Sequence, residues 1–304
     1  MASKKTGKKK MRYPVQRHLD YGADQISATN TNIVDLAKHL SQVNHRLYRQ
    51  SRVYRAKVSS NAPMATNDEI GVWVLRDTWF LQKAYQMAKD TFDKNTIEEK
   101  SGIVPTSLAR WQDFRIALTP ASGITYNESN VGVVSNDTLT TTPLTAGEFE
   151  LSLVHREDGT AMSFGFFELS NSRWSIVKEY DRAGNTSDSP SNPTGGATES
   201  PYGGLDDDNQ DASRQHLSTA GNSPPYDSQS LDPNFLFRYV GTIGGSAAGH
   251  RTTTGFFDAP LGCVLLVART WNKPLEIEVA AGDYKGVHGE SYVDATKKFG
   301  HRRA

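Results

Sequence analysis

Strict alternation of apolar and polar residues constrains this chain more than any other feature. In Leu275-Glu276-Ile277-Glu278-Val279 every second side chain is aliphatic and the others are carboxylates. A strand, whose side chains point to opposite faces in turn, buries one set and solvates the other. Similar patterns at 51–58, 111–118, 149–154, 162–167, 174–177 and 235–240 predict further strands. The segment 70–75 is apolar enough to predict a strand buried on both faces, and 262–268 is a further strand candidate. Turn residues such as Asp158-Gly159 and Asn171-Ser172 separate several of these runs.

Helical spacing is confined to two early stretches. Ile33, Leu36, Ala37, Leu40, Val43 and Leu47 form one apolar stripe over 33–48, with a start at Thr31-Asn32. Leu81, Ala84, Tyr85, Ala88 and Phe92 form the other, with Asp77 or Thr78 as cap. Two short helices beside about nine strands predict an all-β fold, as an antiparallel sandwich, jelly roll or barrel. The polar stretches at about 119–147 and 181–232 fall between strands and read as surface insertions.

The formal net charge is zero, but the charge is segregated. Lys4, Lys5, Lys8, Lys9, Lys10, Arg12 and Arg17 give the N-terminus +7 before the first acid, Asp20. Residues 297–304 add +4, whereas 181–232 carries −7. A segment so basic and so poor in apolar residues does not offset its ordering entropy, so residues 1–30 are expected as a disordered arm. Such an arm neutralises phosphates and releases their counterions, which gives nucleic-acid binding without sequence preference. Lys-Lys-Thr-Gly-Lys-Lys-Lys also fits a nuclear-localisation signal. The expected body is residues 31–304.

Candidates for chemistry are few. Glu276 and Glu278, like Glu148 and Glu150, share a strand face with carboxylates about 6–7 Å apart, a spacing that glycosidases use. The same acids also read as the solvated face of half-buried strands. Asp206, Asp208 and Asp211 sit in an oxygen-rich run that suits Ca²⁺, shared between subunits, but the run lacks the glycine and distal glutamate of an EF-hand. Gly241–Gly249 lacks the Lys-Ser/Thr of a phosphate loop and reads as a turn between strands. The eight histidines show no zinc spacing, and Cys263, in an apolar run, reads as a core residue. No resident cofactor and no enzymatic activity are expected. No apolar run reaches the ~18 residues of a membrane span, so no membrane partner is expected either.

Taken together, the basic arm from Lys4 to Arg17 and the β-patterned body over 51–280 resemble capsid proteins of small non-enveloped icosahedral viruses. The likeness is to those of Rep-encoding circular single-stranded DNA viruses and of nodavirus-like RNA viruses. The resemblance implies a jelly-roll shell domain that self-assembles, on the order of 60 copies or more, into a closed shell. It implies an inward arm packaging a single-stranded genome, DNA ahead of RNA, and long loops facing outward toward a host receptor. The place of the protein would be the virion, with assembly in the host nucleus or cytoplasm. Two other readings compete: a non-viral, lectin-like sandwich with a nucleic-acid-binding or nuclear-targeting tail, and a β-rich hydrolase using the glutamate pairs.

Overall fold

The computed structural model describes residues 14–26, 31–63, 65, 67–103, 111–118, 126–128, 131–134, 141–144, 150–155, 159–166, 173–184, 236–245 and 251–292. The first half contains β1 (His18–Tyr21), β2 (Thr31–Asp35), α1 (Leu36–Asn44), β3 (Arg52–Ser59), β4 (Glu69–Leu75) and α2 (Trp79–Ser101). Short strands follow: β5 (Tyr126–Glu128), β6 (Gly132–Val134), β7 (Thr141–Pro143), β8 (Leu153–His155), β9 (Ala161–Gly165) and β10 (Arg173–Ser175). After α3 (Ile176–Gly184) come β11 (Phe237–Gly244), β12 (Thr253–Pro260), β13 (Cys263–Ala268) and β14 (Leu275–Val279). The last described elements are β15 (Ala281–Gly282), β16 (Gly286–Val287) and β17 (Gly289–Ser291).

Eight strands pair in a nested order. β1 pairs with β14, β2 with β13, β3 with β12 and β4 with β11, all antiparallel. Two further pairings, β14 with β3 and β13 with β4, gather them into two sheets. The first runs β12-β3-β14-β1 and continues through β6 to β7, with β17 also paired to β3. The second runs β11-β4-β13-β2 and ends on β5, which lies parallel to β2. β8, β9 and β10 form a small third sheet.

The alternation in sequence now has a physical destination. Leu19, Tyr54, Ala56, Val58, Leu275, Ile277 and Val279 from the first sheet share one core with Val34, Ile70, Val72, Val74, Val264 and Leu266 from the second. The other face of the second sheet is also covered. Ile33, Leu75, Cys263 and Leu265 pack under Leu81, Ala84, Tyr85, Ala88 and Phe92 of α2. The layers are therefore sheet, sheet, then helices with the small sheet. β13 is in the middle layer, which accounts for its unbroken apolar run. None of the helices among the described residues is long and apolar enough to cross a membrane.

Several expectations need correction. The disordered arm expected over 1–30 does not hold for 14–26, which belong to the body: β1 lies between β14 and β6 with Leu19 and Tyr21 fully buried. The helix expected from 33 begins at Leu36, since Ile33 and Val34 extend to pair with Leu265 and Val264 of β13. Asp35 is its cap, accepting a hydrogen bond from the Lys38 N–H at 3.0 Å. There are three helices among the described residues, and α2 at 23 residues is not short. Thr78 caps α2, its hydroxyl accepting from the Leu81 N–H at 3.4 Å.

The segment 111–118 forms no strand: beyond an Ala117–Gly165 bridge, the Ala117 N–H donates to the Phe164 carbonyl at 2.8 Å and the Arg115 carbonyl accepts from the Ser152 N–H at 3.0 Å. Ile116 between them is paired by the buried Gln50 amide, which accepts from the Ile116 N–H at 2.9 Å and donates to the Ile116 carbonyl at 3.1 Å. Of the described residues 150–154, 153 and 154 are in a strand, β8. The run 174–177 is split, its end entering α3, and β10 is parallel rather than antiparallel to β9. Gly241–Gly244 is strand, not turn, within β11. The 119–147 insertion supplies β5, β6 and β7 to the sheet margins, while 185–232 lies outside the described residues.

Candidate nucleic-acid interface

Lys4, Lys5, Lys8, Lys9, Lys10 and Arg12 lie outside the described residues, so what can be built is the root of the arm. Gln16 is pinned to the end of α1: its N–H donates to Asn44 Oδ1 at 2.8 Å, and Asn44 Nδ2 donates to the Gln16 carbonyl at 2.9 Å. Val15 packs on the sandwich core. Arg17 belongs to the folded body. Its carbonyl accepts from the Val279 N–H at 2.9 Å, its guanidinium donates back to the Val279 carbonyl at 3.3 Å, and Nη1 lies 3.7 Å from Glu278.

The solvent face of the first sheet follows directly from register. β1 and β14 place His18 opposite Glu278 and Asp20 opposite Glu276, while β3 places Lys57 beside Glu278. Lys57 Nζ is 2.5 Å from Glu278 Oε2 and 5.3 Å from the Phe256 ring, and His18 pairs with Glu276. The hydrogen bond from Lys57 holds the Glu278 carboxyl below its usual range. Burial, helped by Glu276, pushes Asp20 up. Both members of the Glu276/Glu278 pair do share the outer face of the sheet, each half-buried, with Leu275, Ile277 and Val279 buried behind them. Each is engaged by a cationic or histidine side chain. Glu150 is exposed, and Glu148 lies outside the described residues.

The remaining candidates resolve simply. Cys263 is fully buried, and burial drives its thiol far above the usual range, so it stays protonated. His39 is buried and hydrogen-bonded to the Tyr21 hydroxyl at 2.7 Å. Asp206, Asp208 and Asp211 lie outside the described residues. Among the described residues no three metal-ligating side chains come together.

One feature escapes the sequence reading. Arg46, Arg49 and Arg52 recur at intervals of three between α1 and β3, and Lys285 joins them in space. The spacing is legible, but it spans the end of one element and the start of another. Lys285 is contributed by the far end of the chain. Comparison with known proteins adds no identity: no family model, curated protein or solved structure matches the chain.

Proposed function

We propose that this chain is a coat protein whose body is a jelly roll that self-assembles into a closed shell and packages a single-stranded nucleic acid. The observation that carries the reading is the nested pairing of β1 with β14, β2 with β13, β3 with β12 and β4 with β11. A long hairpin of eight strands rolled into two sheets would give this order, and the order supports reading the body as the double Greek key of a jelly roll. Such a body leaves long connections between its strands free for contacts.

Charge supports the second half of the reading. The basic run 4–12 precedes a root fixed to the body by Gln16 and Asn44, so its cations are tethered to the fold. Binding by counterion release needs charge and reach, not a specific sequence. The test is the ratio of absorbance at 260 and 280 nm of the purified particle, before and after deletion of residues 1–12. The full chain should carry nuclease-protected nucleic acid and the truncated chain much less. A body free of nucleic acid, monomeric, and binding sugars or peptides would instead establish the lectin-like alternative.

A further inference from the structure

The loop joining α1 to β3 and the hairpin of β15 and β16 meet around two tyrosines. The Arg52 guanidinium carbon stands 4.4 Å from the Tyr284 ring centre, and Lys285 Nζ stands 5.6 Å from the same ring and 5.9 Å from that of Tyr48. The two rings meet edge to face at 6.0 Å. Backbone contacts fix them: the Arg49 N–H donates to the Tyr284 hydroxyl at 3.1 Å, and the Tyr48 hydroxyl donates to the Lys285 carbonyl at 3.0 Å. The Lys285 ammonium also donates to the Leu47 carbonyl. Arg46 and Arg49 are exposed, and Arg52 and Lys285 half-buried.

Arg52 and Lys285 thus share the Tyr284 ring, and Arg46 and Arg49, on the same loop, lie near enough to act on Lys285 by charge. Burial first, then Arg46, Arg49 and Arg52, pull the Lys285 ammonium below its usual range, with Asp113 opposing. The other titratable groups on these segments are His45, Asp283, His288 and Glu290, the last two 3.8 Å apart. Repulsion of this kind is relieved by a ligand with several negative charges. Arginine is suited to phosphate because its planar fork donates two parallel hydrogen bonds to neighbouring oxygens.

Location supplies the second argument. Asn44, which holds Gln16 and therefore the arm root, is two positions before Arg46. Gln16, a few residues after the basic run 4–12, is therefore held by a side chain two positions from the first arginine of the cluster. We propose that Arg46, Arg49, Arg52 and Lys285 form a phosphate-binding site on the body for successive phosphodiesters of the single strand that the arm gathers. This rests on the reading of the arm as the genome-binding segment, and it adds a fixed station where that reading has only a tail.

The test is fluorescence anisotropy of a short labelled oligothymidylate with the full chain across a salt series. It compares wild type with R46Q/R49Q and with the arm variant K8Q/K9Q/K10Q. Each phosphate contact contributes about 0.7 to the log–log salt slope for single strands, so R46Q/R49Q should lower the slope by about 1.4. Affinity should fall several-fold with the thermal midpoint no lower than in wild type. Lys285→Gln is read in the same way, which keeps the test decisive should the double variant not fold. A slope and affinity equal to wild type in a folded cluster variant overturn the proposal. Loss in the cluster variant alone removes the arm reading and keeps the site, while loss in the arm variant alone does the reverse. A cluster variant that changes only self-association would mean that the site holds an acidic segment of a second copy, and the nucleic-acid assignment would fall.

Discussion

Gln16 and Asn44 exchange two hydrogen bonds, one in each direction, at 2.8 and 2.9 Å. The same Asn44 amide donates to the Leu40 carbonyl at 3.1 Å, so one side chain finishes α1 and holds the incoming chain. The chain a few residues after the basic segment is therefore held at a defined point. Replacing Asn44 with alanine removes both hydrogen bonds to Gln16 and should cost about 1 kcal/mol. Limited trypsin digestion should cut after Arg17 several-fold faster in Asn44→Ala, with cutting in residues 4–12 unchanged. An unchanged rate at Arg17 would mean that Val15 and the Val279 pairing hold the root unaided.

Gln50 pairs with Ile116 as a strand neighbour would. It is almost fully buried, and its amide satisfies both backbone groups of Ile116. Gln50→Leu keeps the volume but leaves a buried N–H and a buried C=O unpaired, so chemical denaturation should show a loss of about 2–4 kcal/mol. A loss under about 0.5 kcal/mol would show that Ile116 finds other partners.

Asp113 and Glu278 should respond to acid in opposite directions. Burial holds the Asp113 carboxyl above its usual range, despite hydrogen bonds from the Gln50 and Phe114 N–H groups and the nearby Arg115 and Arg49. Its ionised form therefore weakens the fold at neutral pH. As pH falls through the raised folded value, the folded state takes up the proton first and stability rises. Asp113→Asn should be as stable as wild type or more so at neutral pH, and should lack this gain. Glu278, held low by Lys57, contributes stability above its unfolded value that is lost as pH falls through the folded one. Melting curves of Asp113→Asn and Glu278→Gln against pH should diverge from wild type with opposite slopes. Parallel curves would refute both assignments.

Gly244 and Gly245 separate steric clash from backbone strain. Both have positive φ, +87° and +111°, but a Cβ on Gly244 would lie 1.9 Å from the Asp68 carbonyl oxygen, whereas one on Gly245 meets nothing within 4 Å. Gly245→Ala should cost about 1 kcal/mol for conformation alone. Gly244→Ala must displace backbone as well and should cost clearly more, by thermal or chemical unfolding. Equal losses would show that β11 shifts freely past Asp68.

Elements with a long, one-sided pattern were legible from sequence: β3, β4, β13, β14 and the stripe of α2. Three of the eight nested strands were not. β1 is four residues long, with just Leu19 and Tyr21 turned inward. In β2, Ile33 joins Leu36, Ala37 and Leu40 in an apparent helical stripe that crosses a strand–helix boundary. β12 includes Gly255 and ends on Pro260, which mask the alternation of Phe257 and Ala259. The 111–118 alternation was visible, but a glutamine as its partner was not, because that pairing is side chain to backbone. The basic cluster shows the same limit. Arg46, Arg49 and Arg52 are local, whereas Lys285 reaches them only because β14 and β17 both lie along β3.

The most direct measurement of the central claim is the size and shape of the purified full chain, by sedimentation velocity and electron microscopy across salt and pH. The account predicts uniform closed shells, on the order of 60 copies or more, that protect nucleic acid from nuclease. A single 33.5 kDa species in every condition, free of nucleic acid, would contradict it.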